Sequence, residues 1–387
     1  MAKRAAGNTL SVLHVNDNVS WRGGERQTFL LVRGLGDYGI ESCLACRPRS
    51  ALARRAREAG LDMITAGMRG EWDLFSILRI RALVRARGFA IVHAHTAHAH
   101  GLCAWALAGL PDVKLAVTRR VDRRRGRGIF SSMKYRRCDR FIAISETIRA
   151  NLLADGIPNA AITRIYSGID VASAAGRRDR IDARAELGLT GTGLVAGTVA
   201  AMTPEKDHPT LLRAARIVLG AHPGTRFVLI GDGPCRGALE RQARALGIAQ
   251  QVVFTGERAD AERMLPDFDL FVLPSKSEGL GSSVLDAMAG GVPVVVSRTG
   301  GLVEIVSDGE SGMLFTPGDS GALASCLCSL LDDPGQRERL AKAGRARAGE
   351  FDISKSIAST ALLYGEMCGR GASIDNARPG DAAPCES

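Results

Sequence analysis

The sequence predicts an α/β protein with two doubly wound parallel sheets, one in each half of the chain. Three observations support this fold class. The chain has 387 residues, more than one ordinary hydrophobic core accommodates. Short apolar runs alternate with amphipathic helical patterns along most of its length. A polar stretch over residues 171–180 interrupts this alternation, and we therefore expect two domains joined by a linker.

The N-terminal half begins with an apolar strand over residues 10–15, a loop containing Gly23 and Gly24, and a helical pattern over residues 29–35. The alternation continues with further segments at residues 42–46, 52–59, 74–87, 90–93, 115–118 and 140–144. Strands that alternate with helices form a parallel sheet. We predict a Rossmann-like domain over residues 8–172 and a linker over 173–188.

The C-terminal half repeats this pattern. Its strands are predicted at residues 193–200, 226–230, 251–255, 270–274 and 293–297, and its helices at 210–219, 235–246, 282–289 and 320–331. We predict a second Rossmann-like domain over residues 189–350, a helix over 351–368 and a disordered tail over 369–387. A return of that helix to the N-terminal domain is one option. Ligands of doubly wound sheets bind at the carboxyl ends of strands, so a cleft between two facing domains is the expected active site.

The composition, 45% hydrophobic and 24% charged residues, is typical of a globular protein. No apolar run reaches the roughly 20 residues that span a bilayer, and the N-terminal residues do not resemble a signal peptide. We therefore expect a cytoplasmic protein. The nine cysteines lack the spacing of a zinc site, which favours a structural role for them.

Positive charge is concentrated in the N-terminal half. Residues 1–186 hold 32 Lys and Arg against 17 Asp and Glu, whereas residues 187–387 hold 19 against 24. Six arginines lie within residues 119–127. This asymmetry predicts an anionic partner: nucleic acid, a phosphorylated glycolipid or a membrane surface. Aromatic residues are only 5% of the chain and no stacking motif accompanies the arginines, so we expect no nucleic acid. A merely solvated surface is the alternative.

The most informative segment is residues 274–289, where a strand end is followed by a glycine-containing loop and a helix. The glycines allow backbone N–H groups to approach a phosphate, and the helix presents the positive end of its dipole. Glu278 lies in the loop, and its carboxylate suits sugar hydroxyls. Asp286 follows eight residues later, about two helical turns, which predicts that both acids share one side. The alternative is a tight turn with two solvated acids.

Residues 277–281 (Ser-Glu-Gly-Leu-Gly) followed by 285–295 (Leu-Asp-Ala-Met-Ala-Gly-Gly-Val-Pro-Val-Val) resemble the signature of family 4 glycosyltransferases of the GT-B fold. Further matching segments occur in order at residues 23–27, 140–145, 167–170, 204–212 and 300–304. The resemblance implies two Rossmann-like domains facing across a cleft. It also implies transfer of a sugar, with retention of configuration, from a nucleotide-diphosphate sugar, and UDP is the favoured nucleotide.

The resemblance assigns roles to individual residues. It implies that Glu278 contacts the donor sugar and that Asp286, here in place of the usual Glu, contacts the ribose. Lys206 corresponds to the lysine that binds the leaving diphosphate, although a solvated lysine in a turn is the alternative. The remaining donor-binding residues implied by the resemblance are Gly23, Gly24, Arg258, Gly279, Leu280 and Gly281. Relatives often carry an arginine where this chain has Ala201, which removes one cation from the leaving-group site.

On the acceptor side the candidates are His93, His95, Arg119 and Arg120. Many relatives have a catalytic histidine where this chain has Arg119 and Arg120. An arginine cannot act as a base, but it suits an anionic acceptor. His93 and His95 are interpreted as acceptor contacts or packing residues. With no carboxylate or cysteine near them in sequence, we expect no metal there.

The sequence therefore predicts a metal- and cofactor-independent glycosyltransferase whose acceptor is an anionic or lipid-linked glycan. We expect it to act in the synthesis of cell-envelope polysaccharide or lipopolysaccharide, at the inner face of the cytoplasmic membrane, in peripheral contact with anionic lipid. Two alternatives remain. One is a nucleotide-sugar epimerase of the same fold, and the other is a nucleotide-sugar-binding protein without activity.

Overall fold

The computed structural model describes residues 9–121, 128–175, 182–189 and 193–370. The chain divides into two compact units. The first contains the described residues up to Gly168 and those from Ile353 onward, and the second contains Ile169–Asp352. The division after Gly168 falls slightly before the boundary at residue 172 expected from the sequence.

The first unit is built on a seven-stranded parallel sheet with the strand order 3-2-1-4-5-6-7. Its strands are β1 (Leu10–Asn16), β2 (Ile40–Cys46), β3 (Met63–Thr65), β4 (Ile91–Ala94), β5 (Lys114–Arg119), β6 (Arg140–Ala143) and β7 (Ile162–Arg164). Its helices begin with α1 (Gly23–Gly34), α2 (Ala51–Glu58), α3 (Leu74–Arg87), α4 (Ala97–Ala106), α5 (Ile129–Arg137) and α6 (Glu146–Ala154). The strand order reverses at β1, which lies between β2 and β4.

Local sequence explains where several of these helices begin. Ser50, Asp73, Thr96 and Ser145 each precede a helix, and the side chain of each accepts a hydrogen bond from a backbone N–H of the first turn. These bonds satisfy donors that a helix leaves without an internal partner. The helices therefore begin directly after the strands or loops that precede them.

The second unit contains a six-stranded parallel sheet with the strand order 10-9-8-11-12-13. Its helices before the sheet are α7 (Val171–Ala175) and α8 (Ala183–Glu186). The strands are β8 (Val195–Val199), β9 (Arg226–Ile230), β10 (Val252–Gly256), β11 (Leu270–Leu273), β12 (Val294–Ser297) and β13 (Met313–Phe315). The remaining helices are α9 (His208–Ala221), α10 (Arg236–Ala245), α11 (Ala261–Met264), α12 (Ser282–Ala289), α13 (Leu302–Ile305), α14 (Ser320–Asp332) and α15 (Pro334–Ala348). Here the order reverses at β8, between β9 and β11.

The last helix, α16 (Ile353–Met367), belongs to the first unit. Its Ile357, Ala361 and Tyr364 are buried in the same apolar cluster as Leu10 and Val12 of β1. The segment expected to be a linker contains the end of α7 and all of α8, and its residues 176–181 lie outside the described part of the chain. The tail predicted at 369–387 lies outside it from residue 371 onward.

Gly197 of β8 tests how tightly the second sheet is packed. A Cβ atom at this position would lie 2.0 Å from Cδ2 of the buried Phe268. We expect Gly197→Ala to lower the free energy of unfolding by about 1–3 kcal/mol, because a methyl group has no room there. Urea denaturation measures this change.

Gly220 on the exposed side of α9 is the matched control, because nothing lies within 4 Å of its Cβ position. Gly220→Ala is expected to raise the free energy of unfolding by about 0.5–1 kcal/mol. Equal effects of the two substitutions would contradict the packing described for Gly197.

Candidate active site

Lys206 and Glu278, the residues predicted to contact the leaving diphosphate and the donor sugar, meet beside the loop between β11 and α12. The Lys206 Nζ forms a close ion pair with Oε2 of Glu278, and the Ser275 hydroxyl donates to the same oxygen at 3.3 Å. Only 21% of the lysine side chain and 13% of the glutamate side chain are exposed. The alternative interpretations, a solvated lysine in a turn and a solvated glutamate in a loop, are therefore wrong.

The backbone of this loop is held from two sides. The Lys276 N–H donates to the Glu205 carbonyl at 2.8 Å, and the Thr299 hydroxyl donates to the Lys276 carbonyl at 3.0 Å. The Gly301 N–H donates to the Glu278 carbonyl at 3.1 Å. These bonds tie Glu278 to the turn that carries Lys206 and to the segment after β12.

Gly300 is a site residue that sequence reasoning missed. Its φ is +51°, and a Cβ there would lie 2.0 Å from the Glu278 carbonyl oxygen. A residue with a side chain would displace the Glu278 loop. The signal in the sequence was the Thr-Gly-Gly segment directly after β12, the strand that neighbours β11.

The other predicted donor residues of this segment have different surroundings. Gly281 is the N-cap of α12 with a φ of +98°, so the first amides of the helix follow it directly. Gly279 lies in the loop before it, and Leu280 is 2% exposed and packs in the interior. Asp286 is buried within α12. Because Glu278 lies in the loop, its separation from Asp286 is not two helical turns, so the predicted spacing was wrong, and the position of both acids on one side stays a prediction.

Arg258 lies in the loop after β10. Its guanidinium donates to Asp260 at 2.8 Å from Nε and from Nη2, and to Glu186 at 3.1 Å. These carboxylates raise the pKa of Arg258. These contacts tie Arg258 to α8 and to its own loop, and its role at a nucleotide base stays a prediction. Asp269, directly before β11, accepts from the Val195 N–H at 2.7 Å and holds the start of β8.

In the first unit, the structure brings Gly24, His95 and Arg120 together. Gly23 and Gly24 begin α1, and a Cβ at Gly24 would lie 3.3 Å from Cδ of Arg120. Nη1 of Arg120 donates to the Ser167 hydroxyl at 3.2 Å, and Nη2 lies 3.5 Å from Nδ1 of His95. Arg119 points elsewhere, with its guanidinium 5.9 Å from the centre of the Tyr135 ring. The other arginines of the 119–127 run lie outside the described residues.

The environment of Arg120 suits an anion. Burial lowers the pKa of Arg120 to about 10, although the nearby Glu25 acts in the opposite direction. Its Nε is buried and has no hydrogen-bond partner within the part of the chain that the structure describes. A desolvated guanidinium with an unused donor is unfavourable unless an anion compensates it.

Three buried histidines, His14, His93 and His95, form a cluster that contacts Arg120 through His95. A guanidinium only donates, so Nδ1 of His95 accepts, and a neutral His95 carries its proton on Nε2. That nitrogen is 3.0 Å from Nδ1 of His14, which places the His14 proton on Nε2, a buried atom without a partner among the described residues. His93 bonds separately to the Tyr364 hydroxyl at 2.5 Å and the Thr118 hydroxyl at 2.6 Å.

Burial keeps these imidazoles neutral. It lowers the pKa of His14 to about 3 and those of His93 and His95 well below the ordinary range. His14 is the second residue that sequence reasoning missed. The expected doubly wound strand order could have revealed it, because this order places β1 beside β4 and His14 directly opposite His93.

Metal-ligating atoms of His14, His93 and His95 all lie within 4.8 Å of one another, so this cluster is compact enough to be considered as a metal site. Two features oppose a divalent cation here. The positive charge of Arg120 lies beside the cluster, and both nitrogens of His95 are engaged, Nδ1 with Arg120 and the protonated Nε2 with His14. Metal independence therefore stays our prediction.

Sequence comparison assigns both halves of the chain to known families. Residues 21–173 match the family described as Glycosyltransferase Family 4, and residues 179–347 match Glycosyl transferases group 1. The chain belongs to the family 4 glycosyltransferases. The resemblance inferred from the motifs is thus confirmed.

Two relatives illustrate this membership of family 4. A D-inositol 3-phosphate glycosyltransferase of Salinispora arenicola is 32% identical over 70% of this chain and 63% of its own length. A GDP-mannose-dependent alpha-(1-6)-phosphatidylinositol monomannoside mannosyltransferase of Mycolicibacterium smegmatis is 32% identical over 52% of this chain and 55% of its own. The chain thus spans between half and two thirds of these relatives.

Solved structures confirm the GT-B fold of this family 4 chain. Anabaena HepE, solved in complex with UDP and glucose, has a TM-score of 0.81 at 20% identity and covers 92% of this chain and 100% of its own. A glycosyltransferase from Rickettsia africae has a TM-score of 0.82 at 17% identity, with coverages of 93% and 99%. At these identities the likeness concerns the fold alone.

The buried histidines predict that acid destabilises the first unit. Burial lowers the pKa of His14 and His100 to about 3, whereas an unfolded histidine binds its proton near pH 6.5. Their stabilising contribution is complete above about pH 6.5 and is lost as the pH falls below it. Between pH 7 and pH 5 we expect each such histidine to lower the free energy of unfolding by about 2 kcal/mol.

Urea denaturation at a series of pH values measures this dependence. His100→Phe is the informative variant, because His100 packs edge-on against Tyr135 and Phe141 and a phenyl ring suits those contacts. In this variant the free energy of unfolding should depend less steeply on pH, because unfolding takes up one proton fewer. This holds whatever the stability of the variant at pH 7. A slope unchanged from the parent protein would refute the assignment of a neutral, buried His100.

Proposed function

We propose that this family 4 protein is a retaining glycosyltransferase that moves a sugar from a nucleotide-diphosphate sugar to an acceptor carrying a phosphate group. The observation that carries the proposal is the Lys206–Glu278 ion pair, located at the carboxyl end of β11 beside the start of α12. In doubly wound sheets this edge binds ligands, and β8 and β11 lie where the strand order reverses.

In the proposed reaction, the bond between the anomeric carbon and the diphosphate oxygen breaks. A bond from the same carbon to the acceptor oxygen forms on the same face. The acceptor proton passes to the departing phosphate, so no protein nucleophile is needed. The negative charge that develops on the leaving group is stabilised by Lys206 and by the backbone amides of Gly279–Gly281 at the N-terminus of α12.

Glu278 and Asp286 bind the rest of the donor in this proposal. Glu278 accepts hydrogen bonds from the sugar hydroxyls, and Asp286 accepts from the ribose. Lys206 is paired with Glu278 in the structure, so the diphosphate competes with the carboxylate for the ammonium group. UDP is our favoured nucleotide, although the mannosyltransferase relative is named for GDP-mannose.

We propose that the first unit binds the anionic part of the acceptor through Arg120. Its support is the desolvated guanidinium with an unused Nε donor beside Gly24 and Ser167. The names of the two relatives contain an inositol phosphate and a phosphatidylinositol, both of which carry a phosphate. A cell-envelope polysaccharide or lipopolysaccharide precursor is the acceptor that we favour, bound at the cytoplasmic face of the membrane.

Glu278→Ala is expected to reduce transfer by at least a hundredfold, because the donor sugar loses its carboxylate acceptor. Sugar transfer or donor hydrolysis is measured with UDP-, GDP- and ADP-sugars, with and without a chelator, and the chelator should have no effect. Glu205→Ala is the control, since the Glu205 side chain is exposed and its carbonyl alone supports the loop.

Three results would count against this site or this activity. Indifference of transfer to Glu278→Ala with every donor would exclude the assigned site. Inversion of the donor sugar without an acceptor would indicate the epimerase. Binding of donors in a thermal-shift assay without any turnover would indicate the non-catalytic alternative.

Arg120→Gln tests the acceptor half of the proposal. Without the guanidinium, we expect the KM for a phosphate-bearing acceptor to rise at least about tenfold while the KM for the donor stays unchanged. Arg54→Gln on α2, where the side chain is 64% exposed, is the control and should behave as the parent protein. A rise in donor KM alone would assign Arg120 to the donor instead.

A further inference from the structure

The start of α3 carries an apolar surface that neither the fold nor the proposed site uses. Trp72, Leu74, Phe75 and Leu78 are 59%, 62%, 88% and 54% exposed. Large apolar side chains that are exposed singly are common, but four within seven residues form a contiguous surface. We refer to these four residues as the 72–78 patch.

The patch is exposed because α3 packs against the rest of the unit through its opposite face. Ser76, Ile80 and Val84, spaced one turn apart, are the buried residues of α3. The Asp73 carboxylate accepts from the backbone N–H of Ser76 at 3.2 Å and from that of Arg69 at 3.0 Å, which fixes the first turn. The exposed positions of Phe75 and Leu78 therefore belong to a folded helix end.

The segment before α3 is also anchored. The Trp72 ring lies 5.2 Å from the Trp105 ring on α4, and Glu71 forms an ion pair of 2.7 Å with Lys134 on α5. These contacts hold Trp72 beside the helix end while more than half of its surface stays accessible.

The charges on the helix suit an anionic surface. Arg79 and Arg85 lie four and ten residues after Phe75 on the same exposed side, and residues 74–87 contain no acidic residue. Two other arginines of the helix contact the protein itself: Arg81 donates to the carbonyls of Ala106 and Ala108, and Arg87 pairs with Asp62. The face therefore combines an apolar end with two exposed cations.

Topology places the patch at the functional edge of the sheet. A helix that connects two parallel strands begins at the carboxyl end of the first strand, so α3, between β3 and β4, begins at that edge. The Cβ position of Gly101, in the middle of α4, lies 2.9 Å from the Glu71 Cβ, so the segment before α3 packs on α4, the helix that follows β4. His95 and Arg120 lie directly after β4 and β5 at the same edge.

We propose that the 72–78 patch, together with Arg79 and Arg85, docks the protein onto a bilayer that contains anionic phospholipid. Apolar side chains enter the interface between headgroups and acyl chains, and the arginines contact the lipid phosphates. No helix within the described residues has the length and apolar character needed to cross a bilayer, so the contact is peripheral. Delivery of a lipid-borne acceptor to Arg120 through this contact rests on the proposed function.

A lipid surface fits this face better than a second copy of the chain. A two-fold contact through the patch would bring the positively charged α3 of both copies together, with no acidic residue on α3 to compensate Arg79. For the arginines of residues 119–127, the sequence left acceptor phosphates, anionic headgroups and a solvated surface open. The 72–78 patch is a different surface, and its evidence is the exposed apolar area rather than charge alone.

Sedimentation of the full chain with vesicles tests the docking. One set of vesicles is phosphatidylcholine, and a second replaces about a third of it with phosphatidylglycerol. We expect binding to the anionic vesicles, and a loss of at least tenfold in the partition coefficient for the double variant Phe75→Ser and Leu78→Ser. The double variant Arg79→Gln and Arg85→Gln should lose most of the preference for anionic vesicles.

Ile217→Ser on α9 of the second unit is the matched control, because this apolar side chain is 52% exposed and lies outside the patch. It should bind vesicles as the parent protein does. Unchanged vesicle binding in the Phe75 and Leu78 variant would overturn the proposal, as would an equal loss in Ile217→Ser. Conversion of a dimer into a monomer by the patch variant, with vesicle binding unchanged, would assign the patch to self-association.

Transfer assays separate this inference from the proposed function. With a water-soluble acceptor the patch variant should keep the parent kcat, and with an acceptor embedded in vesicles its rate should fall about tenfold. If no donor and acceptor give any transfer while the patch still governs vesicle binding, the proposed activity fails and the docking surface stands. If the patch variant retains full activity on the embedded acceptor, the patch has no role in delivering the acceptor.

Discussion

The ion pair between Lys206 and Glu278 is the interaction on which the arrangement of the second unit depends. It joins residues 72 positions apart in the chain. They meet because the doubly wound order puts β11 next to β8, so the loops that follow these two strands share one edge of the sheet. Gly300, after β12 on the other side of β11, supports the same loop through its lack of a side chain. Three adjacent strand ends thus position one carboxylate.

The first unit also has a cation at the carboxyl ends of its strands, but that cation is not paired with a carboxylate within the described residues. Its Arg120 is desolvated and lies near Glu25, but the groups that it contacts through hydrogen bonds are neutral, a serine hydroxyl and an imidazole. A protonated His95 would repel the guanidinium and could not accept its hydrogen bond, so the low pKa of His95 is part of what holds Arg120. The same burial makes the fold sensitive to acid, because an unfolded histidine regains its ordinary affinity for protons.

Sequence reasoning predicted the sheets and the loop residues because strands buried on both faces read as apolar runs and functional residues follow their ends. It predicted α3 at residues 74–87, the bounds observed, but not its exposed end. Apolar residues occur on nearly every side of this helix, so periodicity does not identify the buried face. The pairing of His14 with His93 needed the strand order, and the position of Glu278 relative to Asp286 needed the point at which α12 begins.

The two units differ in how each cation is compensated, and this difference affects ligand binding. Lys206 already has a carboxylate partner, so a diphosphate gains only the excess of its own attraction over that of Glu278. Arg120 has no carboxylate partner within the described chain, so an anion bound there compensates a desolvated charge without breaking an ion pair. Under the proposed function, this difference accounts for an acceptor that needs only a single phosphate at the first unit and for a donor with more charge and additional contacts at the second. A nucleotide-diphosphate sugar, which offers two phosphates, a ribose and a hexose, meets that requirement.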